Sequence, residues 1–326
     1  MTGTTRAYWV VRPGVGEVRR EEVSEVLTPG RALVRAEVGG VSVGTERLVG
    51  LGLVPPECAQ QMACRSMGGS FALPVKYGYS LVGTVISGRL EGRRVFVMHP
   101  HQELAEIAEQ DAVILPAAVP SLRATLIPNL ETALNAVWDA ELGSGERHLV
   151  FGAGIVGLLV AFALHKTSGA RTTIVEPDPQ RRAIAAACPW IAAAIAPDEV
   201  TPASAEVVFH CTGRTESLDQ ALHALAFEGR VVELSWYGAR AVTVSLGTHF
   251  HFRRLRILAS QVGSVARSRR ESHGRAGLLA EMAKLLEDPA LDRLPTAPIP
   301  FARLPELMTA IYCGTNAELA PTISYG

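Results

Sequence analysis

Eight residues near the middle of the chain, Val150 to Gly157 in the run VFGAGIVG, join an apolar strand-like start to glycines at positions 152, 154 and 157. A pyrophosphate needs this spacing where a strand turns into a helix. Gly152 permits the tight turn, Gly154 lets backbone approach the phosphates, and Gly157 lets the helix pack closely on the strand. The helix start, with Ile155 and Val156, then offers free N–H groups and a partial positive charge to an anion. A chance glycine turn in an unrelated α/β domain is the competing reading of so short a pattern. Glu176 closes the next strand-like run, TTIVEP, 24 residues beyond Gly152. A carboxylate there can accept hydrogen bonds from both adenosine ribose hydroxyls and repels a 2′-phosphate. NAD(H) is therefore the favoured cofactor; NADP(H) stays open because Arg181 and Arg182 follow closely. Cys211, Thr212, Gly213 and Arg214 come after the apolar run EVVFH, and Ser235, Trp236 and Tyr237 close RVVELSWYG. In a doubly wound sheet ligands meet the carboxyl ends of strands, so these residues are expected cofactor contacts, with ordinary loop chemistry as the alternative.

The elements that must hold these groups follow two grammars. From Ala7 to about Pro116 the apolar segments are short, often alternating, and punctuated by glycine, proline or charge; AYWVV, ALVRAEV, LVGTVIS and RRVFVM read as strands. From His148 strands alternate with helices: HLVF, the helix Ile155 to Lys166, TTIVEP, AAAIAP, EVVFHCTG, a helix around Leu218 to Phe227, RVVELSWYG and LRILASQVG. Apolar strands without alternation, spaced by helices, indicate a parallel sheet covered on both faces. The predicted fold class is α/β, a doubly wound Rossmann sheet plus a β-rich domain. Two domains are expected, residues 1–125 and the dinucleotide domain 126–269, with a ligand cleft between them; the tail could extend the sheet domain or return to the first. The tail holds helices at Ala276 to Glu287 and Pro305 to Tyr312 and a last strand. Neither repeats nor low-complexity linkers occur.

With 326 residues, 48% of them hydrophobic and 19% charged, the composition is that of a folded globular chain. A formal net charge of −1 gives no reason to expect a nucleic-acid partner. The clusters Arg253, Arg254, Arg256 and Arg267, Arg269, Arg270 read as solvated faces. Apolar runs are broken well before spanning length, and Met1 to Arg20 lacks an apolar stretch with a cleavage site, so neither a membrane span nor a secretory signal is expected. The five cysteines are scattered and form no C-x-x-C pair. A reducing, cytoplasmic setting is the expectation.

These features together resemble the medium-chain dehydrogenase/reductases, the superfamily of zinc alcohol dehydrogenases and their zinc-free relatives, over nearly the whole chain. The resemblance implies a GroES-like catalytic and substrate domain for the β-rich part, with the tail returning to it, so that residues 1–125 and 270–326 form one domain. The catalytic-zinc motif of that family, a cysteine in a G-[IV]-C-x-[ST]-D-like stretch, is matched by GGVSVGTE. Ser42 stands near the cysteine position and Thr45 at the hydroxyl position, with one residue added. The Gly-His-Glu motif is matched by Gly78, Tyr79 and Ser80. Ser and Tyr must lose a proton of high pKa to bind zinc well, and the four-cysteine structural lobe is absent. No metal is predicted. The combination GVSVGTE, HPHQE, NLETALNAVWDA and ELSWYG resembles the zinc-free branch of bacteriochlorophyllide 3-hydroxyethyl dehydrogenases and secondary-metabolism dehydrogenases, some acting on cyclitols.

That resemblance implies alcohol–ketone interconversion on a small molecule, in which protein groups must stabilise and protonate an alkoxide. His99 and His101 in MHPHQE would line the substrate cleft as proton carriers or as structural residues beside Pro100. Tyr79 would either donate a hydrogen bond to the substrate oxygen or plug the empty metal site. Thr45 and Ser42 offer relay hydroxyls or ordinary turn caps. Glu131 and Asn135, four apart on one helix face, would border the nicotinamide end, Glu131 as a base or as the holder of a histidine. His249 and His251 are secondary candidates. The competing functions are C=C reduction of enones or quinones, imine reduction, and non-catalytic dinucleotide binding. A homodimer is expected through the edge strand Leu255 to Gly263.

Overall fold

The computed structural model describes residues 2–24, 26–64 and 66–326, and the chain divides into two units, Met1–Pro128 with Leu286–Gly326, and Asn129–Leu285. The first contributes strands β1 (Thr2–Arg12), β2 (Val15–Ser24), β3 (Arg31–Gly40), β4 (Gly68–Gly69), β5 (Val75–Lys76), β6 (Leu81–Ser87), β7 (Arg94–Val97), β8 (Leu104–Ala108) and β9 (Val113–Ile114). The second contributes β10 (His148–Phe151), β11 (Thr172–Val175), β12 (Ile191–Ile195), β13 (Ala205–His210), β14 (Leu225–Glu233) and β15 (Arg256–Ala259). The chain then returns to the first unit with β16 (Ile299–Pro300) and β17 (Thr322–Ser324).

In the first unit β1 and β2 form an antiparallel hairpin within a sheet ordered β2-β1-β5-β4. A larger sheet runs β16-β17-β3-β6-β7-β9, with β8 also paired to β3. Val34, Leu81, Val82, Val85 and Val95 are buried in it, and the consecutive Leu81 and Val82 show that the start of β6 is covered on both faces. The helix Val43–Gly50 follows β3 directly and carries Thr45 and Glu46.

The second unit is a six-stranded parallel sheet ordered β12-β11-β10-β13-β14-β15. Val207, Val208 and Phe209, consecutive in β13, are all fully buried, so both faces of the sheet are covered, as a non-alternating strand requires. The helix Ile155–Ser168 is apolar around most of its circumference, with Leu158 to Leu164 fully buried. Such a helix belongs inside a domain. It ends at Gly169 in a left-handed cap whose N–H reaches His165 O at 2.8 Å. Strand order reverses between β10 and β13, which places the ligand crevice of such sheets at their carboxyl ends.

Several element bounds differ from expectation. The helix expected to reach Phe227 spans Thr215–Ala224, because Leu225 already pairs with Ala205 in the sheet. β14 therefore starts early and stops at Glu233, leaving Ser235, Trp236 and Tyr237 in the loop beyond it. The helix Gly274–Leu286 stays with the second unit, since Leu278 packs on Leu134, Trp138 and Ala266. The return to the first unit accordingly falls at residue 286 and not at 270. Among the described residues no helix is long and apolar enough to cross a membrane.

Candidate functional site

In the second unit the glycine turn is built as its spacing requires. Gly152 leaves β10 at φ +103°, where its would-be Cβ lies 3.1 Å from Cys211 O, so the turn abuts the end of β13. A Cβ on Gly157 would fall 2.0 Å from Gly152 O, so helix and turn touch at backbone level. Gly154 is different: no protein atom lies within 4 Å of its would-be Cβ. It is also the N-cap of Ile155–Ser168 and caps nothing with a side chain. Protein packing thus accounts for two of the three glycines, and the third borders open space at a helix start with unspent N–H groups. That fits a phosphate. Ile155 is buried against the core and Val156 is half-buried beside it.

Glu176 follows β11 and is 7% exposed. One carboxylate oxygen accepts from Ala153 N at 2.8 Å and the other from Asp178 N at 3.0 Å. The carboxylate is therefore clamped to the glycine turn, with lone pairs left for a ribose. Arg182 donates to the carbonyls of Glu176 and Pro177 at 2.8 and 2.7 Å. Arg181 lies in the first turn of Pro179–Ala186, its N–H 3.4 Å from the capping carboxylate of Asp178.

At the ends of β13 and β14, Gly213 N donates to Ser235 Oγ at 3.0 Å, and Thr212 Oγ1 accepts from Arg214 N at 3.0 Å. Cys211 N is tied to Phe151 O at 2.9 Å. Tyr237 donates its hydroxyl proton to Glu233 at 3.1 Å, while Trp236 is half-buried next to it. Burial, reinforced by the Glu233 charge, raises the Tyr237 phenol above its ordinary pKa. Sequence reasoning missed the two groups that organise this cluster, His210 and Glu233. The available signal was an ionisable residue directly after each of two apolar runs, Val207 to Phe209 and Val231 to Val232.

The first unit gathers Tyr79, Ser42 and Thr45. The Tyr79 hydroxyl hydrogen-bonds with those of Ser42 and Thr45, while burial raises its pKa above the ordinary phenol value. Glu46, 3% exposed, was also missed. It accepts from Ser42 N at 2.9 Å and faces His101 Nε2 at 2.9 Å. His101 Nδ1 in turn lies 3.4 Å from Tyr325 OH. The carboxylate fixes the tautomer: Nε2 carries a proton. A Cβ on Gly78 would meet the His101 ring at 2.8 Å, so the residue before Tyr79 is small because His101 packs there.

His99 lies elsewhere. Its Nδ1 donates to Pro100 O at 2.9 Å, and it lines a cavity of about 420 Å³ with Glu21, Lys76, Gln102, Glu106 and Asp111, without Tyr79. Desolvation lowers its pKa to about 4, helped by the neighbouring Lys76 and His101. The two histidines of MHPHQE therefore serve different surroundings.

Glu131 pairs with Arg275 at 2.8 Å. Burial raises its carboxyl pKa and Arg275 opposes the shift. Asn135 is fully buried; it accepts from Ala266 N at 2.8 Å and donates to Asp139 at 3.1 Å and Ser264 O at 3.3 Å. Its amide is committed to the segment after β15. His249 stacks edge-on against His223 at 4.5 Å and Phe252 at 5.4 Å, and the neighbouring His251 is exposed. Among the described residues, no three His, Cys, Asp or Glu side chains converge as metal ligands would.

No family model matches the chain. Solved structures do. L-idonate 5-dehydrogenase of Escherichia coli superposes with a TM-score of 0.79 at 14% identity, covering 100% of this chain and 99% of that one. 2R,3R-butanediol dehydrogenase of Bacillus subtilis gives 0.76 at 18% identity, with 99% and 100% covered. A protein of E. coli CFT073 described as a short-chain alcohol dehydrogenase, in complex with NADH, gives 0.74 at 14% identity, with 99% of both chains covered. The chain has the fold of the medium-chain dehydrogenases.

Proposed function

We propose that this chain is a zinc-independent, NAD(P)(H)-dependent oxidoreductase that interconverts a secondary alcohol and a ketone on a medium-sized metabolite, with a role in secondary metabolism. The observation that carries the reading is the glycine turn with its open second glycine and the Glu176 carboxylate clamped beside it. A nicotinamide dinucleotide, when bound, supplies or accepts the hydride. Gly152 to Gly157 would hold its phosphates and Glu176 its adenosine ribose; the acid favours NAD(H), since a 2′-phosphate would be repelled.

The remaining work falls to side chains of the first unit. Tyr79, its hydroxyl oriented by Ser42 and Thr45, donates a hydrogen bond to the substrate oxygen and the proton that an alkoxide needs. A phenol kept neutral by burial is suited to donation. Glu46 and His101 hold that segment in place from behind. Zinc independence is supported by the donor set, in which hydroxyls of Ser42 and Tyr79 stand where strong ligands would be needed. A homodimer through β15 is supported by its exposed edge residues Arg256, Ile257 and Ala259.

Calorimetry with NADH and NADPH on purified protein, followed by a panel of alcohols and ketones, tests the reading. Binding of NADH ahead of NADPH, with hydroxyl formation from ketones, is expected. Absence of binding to either dinucleotide refutes it. Loss of a C=C bond as the only reaction assigns the same fold to enone or quinone reduction, and tight binding without turnover assigns it to a non-catalytic dinucleotide protein.

A further inference from the structure

β13 and β14 each end on one ionisable residue, and their register sets the two side by side: His210 is the ladder partner of Glu233. The His210 side chain is fully buried, with Nδ1 2.9 Å from Glu233 Oε2. Glu233 Oε1 also accepts from Ser235 N at 2.7 Å, and Oε2 from Tyr237 OH at 3.1 Å. On the other side of the ring, Nε2 lies 2.8 Å from Ser217 Oγ and 3.0 Å from Thr212 Oγ1. Either hydroxyl can donate to it. One ring proton, on Nδ1, is enough to satisfy these contacts, so the geometry calls for no second ring proton to balance the carboxylate. Two apolar residues would complete these strands at no desolvation cost, so an ionisable pair here needs a use beyond packing.

Its position supplies one. Glu176 and Ala153 mark the adenosine flank of β10, on the side of β11. β13 and β14 lie on the opposite flank, and the loop after β13 touches the phosphate turn, with Thr212 Cγ2 3.2 Å from the would-be Cβ of Gly152. A dinucleotide stretched across a switch point puts its halves on opposite flanks. The nicotinamide half then lies over the ends of β13 and β14. Its ring is a cation when oxidised and neutral when reduced, so a fixed negative charge in that wall tells the two apart.

We propose that Glu233, held by His210 and Tyr237, sets the redox preference of the bound nicotinamide by favouring the oxidised, cationic ring. This rests on the dinucleotide reading above. The effect acts on the ring alone, and ADP-ribose, which lacks it, is the internal control.

Calorimetry with NAD+, NADH and ADP-ribose on the full chain and on Glu233→Gln tests it. Gln keeps an acceptor oxygen for Ser235 N, puts an NH2 opposite Tyr237, whose hydroxyl can turn to accept from it, and removes the charge. The ratio Kd(NAD+)/Kd(NADH) should rise about tenfold, the scale of one unit charge several ångströms away at intermediate dielectric, while ADP-ribose affinity stays as in the wild type. Glu233→Met, apolar and of similar length, should give the same shift and serves if the Gln variant does not fold. An unchanged ratio with intact ADP-ribose binding overturns the proposal. Failure of the wild-type protein to bind any of the three ligands refutes the dinucleotide reading itself, and this proposal with it.

Discussion

Gly154→Ala and Gly157→Ala add the same methyl group three residues apart, and the structure gives them opposite consequences. At Gly157 the new carbon would sit 2.0 Å from Gly152 O. Carbon–oxygen contacts settle at about 3.3–3.6 Å, so helix or turn must retreat by more than about 1 Å, and the obstructing atom is backbone that cannot rotate away. Overpacking of this kind costs about 1–3 kcal/mol, which lowers Tm by about 2–4 °C for each kcal/mol in a domain of this size. At Gly154 the methyl meets nothing within 4 Å, and the backbone, at φ −75° and ψ 175°, suits alanine without strain. Losing a favourable N-cap residue costs up to about 1 kcal/mol, offset by about 0.4–1 kcal/mol from the stiffer unfolded chain. Stability should stay within about 0.5 kcal/mol of the wild type. Dinucleotide binding should suffer instead. A methyl that pushes a phosphate off the helix start forfeits one or two charge-assisted N–H bonds, each worth roughly 1.5–3 kcal/mol, so NADH affinity should fall by about a hundredfold. Thermal unfolding and calorimetry on both variants decide the matter. NADH binding by Gly154→Ala at wild-type strength would show that the open space is not where a ligand lies. A Gly157→Ala protein as stable as the parent would show that the turn yields more easily than its geometry implies.

Tyr79→Phe should lower kcat by about a hundredfold with little change in Tm, as loss of a proton donor does; full turnover in steady-state assays would remove the phenol from the chemistry. Burial holds the His99 pKa at about 4, below the 6.5 of the unfolded chain. Between those values the unfolded state takes the proton that the folded state refuses, so stability is present above pH 6.5 and is lost as pH falls towards 4. The loss is about 3 kcal/mol by linkage, and urea unfolding should show a shallower acid decline in His99→Asn. Asn135→Ala strands the buried Ala266 N–H and should cost about 1–3 kcal/mol, read as a lower urea midpoint. Ile257→Lys puts a charge on the exposed edge strand, and sedimentation should show a dimer giving way to a monomer; an unchanged dimer would locate the interface elsewhere.

What was legible in the sequence followed rules that act over short stretches. Val150 to Gly157 and Glu176 were readable because turn, helix start and strand end are each fixed by a few neighbouring residues. The sheet was readable because Val207, Val208 and Phe209 form an unalternated apolar run. Groups that meet only through the fold were not. His210 and Glu233 are neighbours because of a parallel register that no local pattern displays. Glu46 and Tyr325 come from opposite ends of the sequence to hold His101. His99 and His101, two residues apart, would share a face in a regular strand, but the chain bends at His101 and sends them to different surroundings. Asn135 was read for its polarity on a helix face, whereas its amide is spent on backbone that arrives from beyond β15.

The first unit is assembled from two separated stretches of chain, and this orders events on the ribosome. The second unit is contiguous and can close on itself once Leu285 has emerged. β3 must wait for its neighbour β17, an interval of roughly 15–60 s at ordinary elongation rates, and Tyr325, the partner of the His101 ring, follows later still. During that wait the Val38–Gly40 end of β3 lacks its partner on one edge, while Arg31–Arg35 can already pair with β8, and nascent chains stalled before Thr322 should carry that short unpaired end.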